Sequence, residues 1–344
     1  MHILITGGAG FIGSNLVEYH LRKGDIVHAV DDLSTGSADN LTVFMNDQNF
    51  RFDQADILTW QGLDKAAAWA DRIYHMAAVV GVFKVLEEPI KVLATNIAGC
   101  ERVLRAVQTG KWNPQIVIAS TSEVYGTGMH YAEDAGRGDA SAIRKADPSF
   151  IPAFDEDMEP MVGSSVISRW NYSISKLAGE AFGMSYARKQ GMKVIVIRFF
   201  NTIGPRQTGR YGMVVPRFVR HAVANEPIPV YGDGAQTRCF CDVRDTVIAL
   251  DKLADEANSY GQIINVGSDR EISIKELAEL VKNRAGSSSP IKFVPLDEAY
   301  TEAFQETLRR RPNLDKLHRL TGFAHRWTLE RTLDDLINAE KSRR

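Results

Sequence analysis

The stretch TGGAGFIG, Thr6 to Gly13, decides how the rest of the chain is read. It leaves the apolar run ILIT (3–6) and opens a helical pattern over 11–23. It holds Gly8-x-Gly10-x-x-Gly13 and also Gly7-x-x-Gly10-x-x-Gly13. Glycines let the backbone turn sharply and approach a pyrophosphate. The helix that follows offers free N–H groups and a positive dipole end. Gly7, Gly10, Phe11, Ile12 and Gly13 are thus the expected dinucleotide loop. Asp31 ends the second strand pattern, 18 residues after Gly13. A carboxylate there can accept both ribose hydroxyls and would repel a 2′-phosphate, which favours NAD over NADP. Asp56 and Ile57 follow the third strand and are expected to flank the adenine; a simple turn at Asp56 is the competing reading.

Working outward, strand and helix patterns alternate over the first two hundred residues. The strands are ILIT (3–6), DIVHAV (25–30), FRFDQA (50–55), RIYHMA (72–77), QIVIAS (115–120) and KVIVIRFF (193–200). Helical patterns span 11–23, 87–109 and 170–190. Short apolar strands spaced by amphipathic helices predict an α/β fold with a doubly wound parallel sheet. After Phe200 the rhythm changes, and Pro205, Pro216, Pro227 and Pro229 punctuate shorter elements. QIINVG (262–267) is expected to return to the main sheet, with helices at 273–285 and 328–340. The expected division is a Rossmann domain over 1–200 with a returning segment near 240–267, and a smaller α/β substrate domain over 201–239 and 268–344. The irregular stretch 127–168 reads as a lid or a specificity insert.

Composition narrows the class. The 344 residues are 44% apolar and 24% charged, with a net charge of −2. That balance gives no reason to expect nucleic acid or an anionic membrane as partner. No window approaches a membrane span, and MHILITGG reads as a strand rather than a leader. Cys100, Cys239 and Cys241 make no disulfide framework, so a reduced, cytoplasmic protein is expected. Cys239 and Cys241 share a strand face and read as core thiols. The eight histidines show no metal spacing, so no metal is expected. His75 reads as structural.

Two short motifs carry chemistry. RWNYSISK (169–176) opens a helix in which Tyr172 and Lys176 are i and i+4, on one face. A phenol ionises near ~10, too high for a base at neutral pH. A neighbouring ammonium favours the phenolate. The pair can therefore take a proton from a sugar hydroxyl while a hydride leaves the same carbon. TSEVYG (121–126) sets two hydroxyls and a carboxylate at the end of a buried strand, which is favourable only if they face a cleft.

TGGAGFIG, HMAA (75–78), TSEVYG, YSISK and RFFNTIGPRQ (198–207) together resemble the extended short-chain dehydrogenase/reductases that act on nucleotide sugars. The resemblance covers nearly the whole chain, in order. It implies a Rossmann domain holding NAD, with Ala77, Tyr172 and Lys176 among the cofactor contacts. It implies a smaller domain holding a UDP-sugar, a homodimer, and a reaction that begins by oxidising carbon 4 of the sugar. Thr121 matches the hydroxyl that hydrogen-bonds the reacting sugar oxygen. Ser122-Glu123 is similar to the UDP-glucuronate decarboxylases, although GDP-mannose dehydratases also carry Ser-Glu. RFFNTIGPRQ looks like the epimerase and decarboxylase type. RRRPNL (309–314) resembles the decarboxylase pattern, which makes Arg310 the expected arginine near the sugar carboxylate, with Arg309 and Arg311 as competitors. YGDGAQTRCF (231–240) resembles the UDP segment, with Arg238 on phosphate, Asn201 on the diphosphate and Val215 over the uracil. Arg206 could touch phosphate or make an ion pair.

The resemblance therefore implies NAD-dependent oxidation of UDP-glucuronate with decarboxylation to UDP-xylose or its 4-keto form. A 4-epimerase on a UDP-hexose or hexuronate is the alternative. A 4,6-dehydratase and a non-catalytic Rossmann module stand behind it. The spacing of 47 residues from Tyr125 to Tyr172 exceeds the ordinary epimerase spacing.

Overall fold

The computed structural model describes residues 1–110, 113–129, 151–209, 212–299, 305 and 307–343. Its strands in chain order are β1 His2–Thr6, β2 Ile26–Asp31, β3 Phe50–Gln54, β4 Arg72–His75, β5 Gln115–Thr121, β6 Lys193–Phe199 and β7 Thr202–Ile203. They continue with β8 Ile228–Tyr231, β9 Thr237–Cys239, β10 Cys241–Asp242, β11 Gln262–Val266, β12 Glu271–Ser273, β13 Ile291–Val294 and β14 Arg309–Arg310. Seven of them form one parallel sheet in the order β11-β6-β5-β4-β1-β2-β3. The direction of winding reverses between β1 and β4. Ligands of such sheets bind at the carboxyl ends of the strands, at that reversal. The glycine loop leaves β1 there, and the His75–Ala77 segment leaves β4 beside it.

Uninterrupted apolar strands are explained by cover on both faces. Along β5, Ile116 and Ile118 enter one core and Val117 the other. Along β6, Val194 and Val196 oppose Ile195 and Ile197 in the same way. Strand alternation alone sorts them. Helices Phe11–Arg22 and Val243–Asp255 cover the face of Val117, Ile195 and Ile197 through Leu16, Val17, Val247 and Leu250. Helices Leu63–Trp69, Pro89–Gln108 and Asn171–Gln190 lie on the other; Leu63, Val103, Leu104 and Val107 fill that core. β11 joins the edge beside β6, as QIINVG suggests.

The helix expected over 87–109 is Pro89–Gln108, and a separate helix, Val82–Glu87, precedes it. The break falls at Glu88, φ −127 and ψ 51, because the residue before proline avoids the α region. Leu63–Trp69 and Val243–Asp255 are helices that the sequence patterns did not flag.

A second core gathers Val215, Phe218, Ile228, Val230, Phe240, Ile274, Leu277 and Leu333. Helices Val214–Ala224, Ile274–Ala285 and Leu329–Lys341 and the short strands β8 and β13 enclose it. A capping box between Ser273 and Glu276 starts the middle helix. The helix Asp315–Thr321 departs from this unit: its Leu317 belongs to the large-sheet core with Ile264 and Leu250. We propose that the substrate domain is built on the second core, with the Asp315–Thr321 helix attached to the Rossmann layer.

Part of the expected insert is well packed. Phe154 is buried and stacks on Tyr125 at 4.8 Å. Its backbone exchanges hydrogen bonds with the chain leaving β14: Phe154 N–H to Arg311 O, and Asn313 N–H to Phe154 O, both 2.8 Å. This ties TSEVYG to RRRPNL. The rest of the lid or insert expected over 127–168, residues 130–150, lies outside the described residues.

Candidate active site

The glycine loop is built for close approach. Gly7 has φ +72, and a Cβ there would lie 2.6 Å from the Ala77 nitrogen. A Cβ on Gly13 would lie 2.0 Å from the Gly7 oxygen. No side chain fits at either position, so backbone and helix start remain open to a pyrophosphate. Gly10 caps the helix that begins at Phe11 and Ile12. Asp31 Oδ2 accepts from Ala9 N–H at 3.0 Å and Oδ1 from Leu33 N–H at 2.8 Å. Burial pushes its carboxyl up, and these backbone donors oppose that. Each oxygen has further acceptor capacity for a ribose hydroxyl. Ala55 N–H donates to Asp31 O at 3.0 Å, which brings Asp56 beside Asp31. Asp56 is exposed and accepts from Leu58 N–H, whereas Ile57 is buried in the core against Gly99. These residues make a cradle that fits a dinucleotide.

Thr121 ends β5, and its Oγ1 accepts from Glu123 N–H at 3.2 Å, starting the turn Ser122–Tyr125. Lys176 Nζ donates to Ala119 O at 2.9 Å and lies 5.8 Å from the Tyr172 ring centroid. Next along this helix, Glu180 accepts from Ser120 Oγ at 2.5 Å and from Arg198 Nε and Nη2 at 3.0 and 2.8 Å. All three are buried. The triad locks the Asn171–Gln190 helix against β5 and β6, and so fixes where Tyr172 meets Thr121. Removing one partner of a buried ion pair strands the other charge. Glu180→Ala is therefore expected to cost about 3–5 kcal/mol of stability, measured by urea unfolding.

The cavity beyond Tyr172 holds about 240 Å³. Glu123, Tyr172, Asn201, Val215, Arg238 and Arg310 all line it. Thr121, Ser122 and Lys176 are buried and lie outside the lining. Arg310 Nη1 reaches Glu123 Oε1 at 3.4 Å, and its Nη2 donates to Thr307 Oγ1 at 3.3 Å. Arg238 Nη1 donates to Thr307 O at 2.7 Å and to Thr237 O at 2.8 Å. Asn201 Nδ2 donates to Cys239 O at 3.0 Å. The three consecutive arginines are sorted by β14. Arg309 turns away and binds Glu271 through Nε and Nη2, both 2.7 Å, while Arg310 faces the cavity.

Electrostatics distinguish the groups. Burial pushes the Glu123 carboxyl up, but the guanidiniums of Arg169, then Arg310 and Arg238, outweigh it and hold it below the usual range. Burial pushes Tyr172 well up, and the charge of Glu123 adds to this. Burial pushes Lys176 down to about 8. The expectation that the ammonium alone lowers the phenol is thus reversed. Lys176 is buried and Tyr172 half-buried, and desolvation favours the neutral form of each.

Sequence reasoning quoted Arg169 but gave it no role, and it passed over Arg217 and Tyr231. Arg169 is 6% exposed, lines the cavity, and sits in the short turn Ser168–Trp170, three residues before Tyr172. Arg217 stacks on the Tyr231 ring, 4.1 Å from its centroid, one turn beyond Val214. Other residues resolve toward structure. His75 Nδ1 meets Thr6 Oγ1 at 2.8 Å, and burial pushes its ring down to about 3, so it stays neutral. Arg206 makes the ion-pair contact, with Glu18 at 2.7 Å. Cys239 and Cys241 are buried free thiols.

The chain belongs to the NAD dependent epimerase/dehydratase family, whose model matches residues 3–267. It is an enzyme, and NAD is its cofactor. It is 36% identical over 338 residues to the UDP-N-acetyl-alpha-D-glucosaminuronate decarboxylase of Bacillus cytotoxicus, covering 97% of this chain and 96% of that one. It is 32% identical over 335 residues to UDP-glucuronic acid decarboxylase 1 of Danio rerio, covering 97% of this chain and 71% of the relative. The UDP-glucuronic acid 4-epimerase of Bacillus cereus, solved in complex with NAD, superposes with a TM-score of 0.80 at 25% identity, covering 99% of each chain. Among the described residues no helix is long and apolar enough to cross a membrane.

Proposed function

We propose that this enzyme oxidises carbon 4 of a UDP-uronate, UDP-glucuronate in the first instance, and releases the sugar carboxylate as carbon dioxide. The observation that carries the reading is the Glu123–Arg310 pair in the same cavity as Tyr172. The decarboxylase names of the two sequence relatives support it.

NAD, which the Gly7–Gly13 loop and Asp31 would hold, would supply the hydride acceptor for carbon 4 and a positive charge that favours a phenolate. Tyr172 takes the proton of the carbon 4 hydroxyl, and Thr121 hydrogen-bonds the same oxygen. Lys176, fixed on Ala119 O, backs the phenol with its charge. The resulting ketone is β to the carboxylate on carbon 5. The bond between carbon 5 and the carboxyl carbon then breaks, its electrons pass to the ketone as an enolate, and carbon dioxide leaves. Arg310 holds the carboxylate beforehand. Glu123, ionised beside its arginines, relays a solvent proton to carbon 5 through a water it orients. Asn201 and Arg238 hold the diphosphate, and Val215 covers the base. Hydride return yields UDP-xylose, and early release yields the 4-keto pentose. The enzyme works as a homodimer in the cytoplasm, a reading supported by its three free cysteines as regards the compartment.

The likeness to the Bacillus cereus epimerase favours a second reading, in which the carboxylate is retained and carbon 4 is inverted. Carboxyl-labelled UDP-glucuronate separates the two. Stoichiometric release of label supports decarboxylation, and full retention of label alongside turnover refutes it.

A further inference from the structure

Asn265 lies next to the end of β11 and is fully buried, yet it stands outside the cavity lining and no step of the reaction uses it. A buried amide is costly unless its hydrogen-bonding groups find partners. Here the partners come from distant parts of the chain. The Tyr125 hydroxyl donates to Asn265 Oδ1 at 3.0 Å. Asn265 Nδ2 donates to Phe154 O at 2.9 Å and to Asn313 O at 3.3 Å. Its backbone N–H donates to Glu156 Oε1 at 2.7 Å. One side chain therefore joins the segments of Tyr125, Phe154 and Asn313.

What those segments carry gives the amide its meaning. Tyr125 closes the turn Ser122–Tyr125, which holds Glu123 in the cavity wall. Its ring is fixed apart from the hydroxyl, by the Phe154 ring and by the Arg198 guanidinium, whose carbon lies 4.6 Å from the centroid. Asn313 follows Arg310 by three residues, on the chain that leaves β14. Asn313 Nδ2 also donates to Asp155 Oδ2 at 2.9 Å, next to Phe154. β14 itself pairs with β9 in a separate three-stranded sheet, whereas Glu123 follows β5 of the seven-stranded one. The Glu123–Arg310 contact thus spans two sheets. Asn265, on the edge strand of the large sheet, ties both sides of that contact: Glu123 through Tyr125, and Arg310 through Asn313.

We infer that Asn265 is a positioning residue, which fixes the chain leaving β14 against the Glu123 turn and so holds Arg310 at its working distance from Glu123. It acts through Arg310 and touches no reacting atom. This rests on the reading that Arg310 holds a sugar carboxylate, and it deepens that reading.

Two measurements on the NAD-loaded enzyme test it with Asn265→Ala, which removes the amide and leaves the cavity lining in place. Hydrogen exchange by mass spectrometry, without sugar, reads the anchorage. The amides of Phe154 and Asn313 donate to Arg311 O and Phe154 O. Both are expected to exchange about 10-fold faster in the variant, the scale of one lost hydrogen bond, with β1 and β4 unchanged. Unchanged exchange at both amides, or equal acceleration across β1 and β4, overturns the inference. Calorimetry reads the consequence, as the affinity for UDP-glucuronate divided by that for UDP-glucose. The variant is expected to lower this ratio by about 10-fold, and to lower it no further in Arg310→Gln enzyme, because the effect passes through Arg310. An unchanged ratio, or a fall of the same size in both backgrounds, overturns the positioning role. Arg310→Gln alone tests the underlying reading. A ratio unmoved by that substitution refutes the carboxylate contact, and the exchange result still decides the anchorage. Should the alanine variant not fold, Tyr125→Phe removes one bond of the amide and keeps the ring packing. A fall of about 2–3-fold in the ratio is then expected, and no fall overturns the assignment.

Discussion

Tyr172→Phe lowers kcat by about 10³–10⁴-fold, the upper range for general acid–base groups, while UDP-sugar affinity stays within about two-fold. The phenol is the group placed to take the carbon 4 proton. It lines the cavity, with Thr121 at the neighbouring strand end and Lys176 5.8 Å behind the ring. Removing one oxygen leaves the ring packed against Val79, Val85 and Val92. The groups proposed to hold UDP, Asn201, Val215 and Arg238, line the same cavity from other elements and are untouched. Burial pushes the phenol up, so the oxidation rate should rise with pH until Lys176, pushed down to about 8, loses its charge. Steady-state kinetics of the variant, with reduced cofactor followed by absorbance, decide the matter. A variant that keeps a tenth of the wild-type kcat would remove Tyr172 from the oxidation step.

Glu123→Gln separates the two halves of the reaction. Carbon 4 oxidation persists, because Tyr172, Lys176 and Thr121 are unchanged. Formation of final product falls by about 10²-fold, the lower range for a lost proton relay. The amide keeps the shape but cannot carry the proton, and it takes the negative charge away from the Arg310 contact. Reduced cofactor should therefore build up on the variant after mixing with UDP-glucuronate. Stopped-flow absorbance reads this directly. Full product formation by Glu123→Gln would mean that the glutamate only balances charge.

How much of this was legible in the sequence depends on whether a feature is local. The glycine loop, the two-sided strands and the Tyr172–Lys176 pair follow from spacing along one element, and a chain carries spacing openly. Glu88 ends a helix because Pro89 follows it, a rule the sequence displays and the 87–109 pattern overrode. The choice among Arg309, Arg310 and Arg311 is different. Strand alternation puts neighbours on opposite sides, but which side faces the cavity is set by pairing of β14 with β9, some seventy residues earlier. Arg169 was quoted without a role because Glu123, on whose carboxylate its charge acts, lies on β5's exit turn. Its meaning exists only once the sheet and the second core bring those elements together. The reversal at Tyr172 has the same origin. Propensity shows a lysine one turn away, whereas the packing that desolvates both groups is tertiary.

The central claim is that one cavity joins carbon 4 oxidation to loss of the neighbouring carboxylate. A proton NMR time course of the NAD-loaded enzyme with UDP-glucuronate tests it most directly. The account predicts a new pentose anomeric signal that grows as the glucuronate signal fades, with bicarbonate appearing in step. A new hexuronate signal with the carboxylate retained would contradict it.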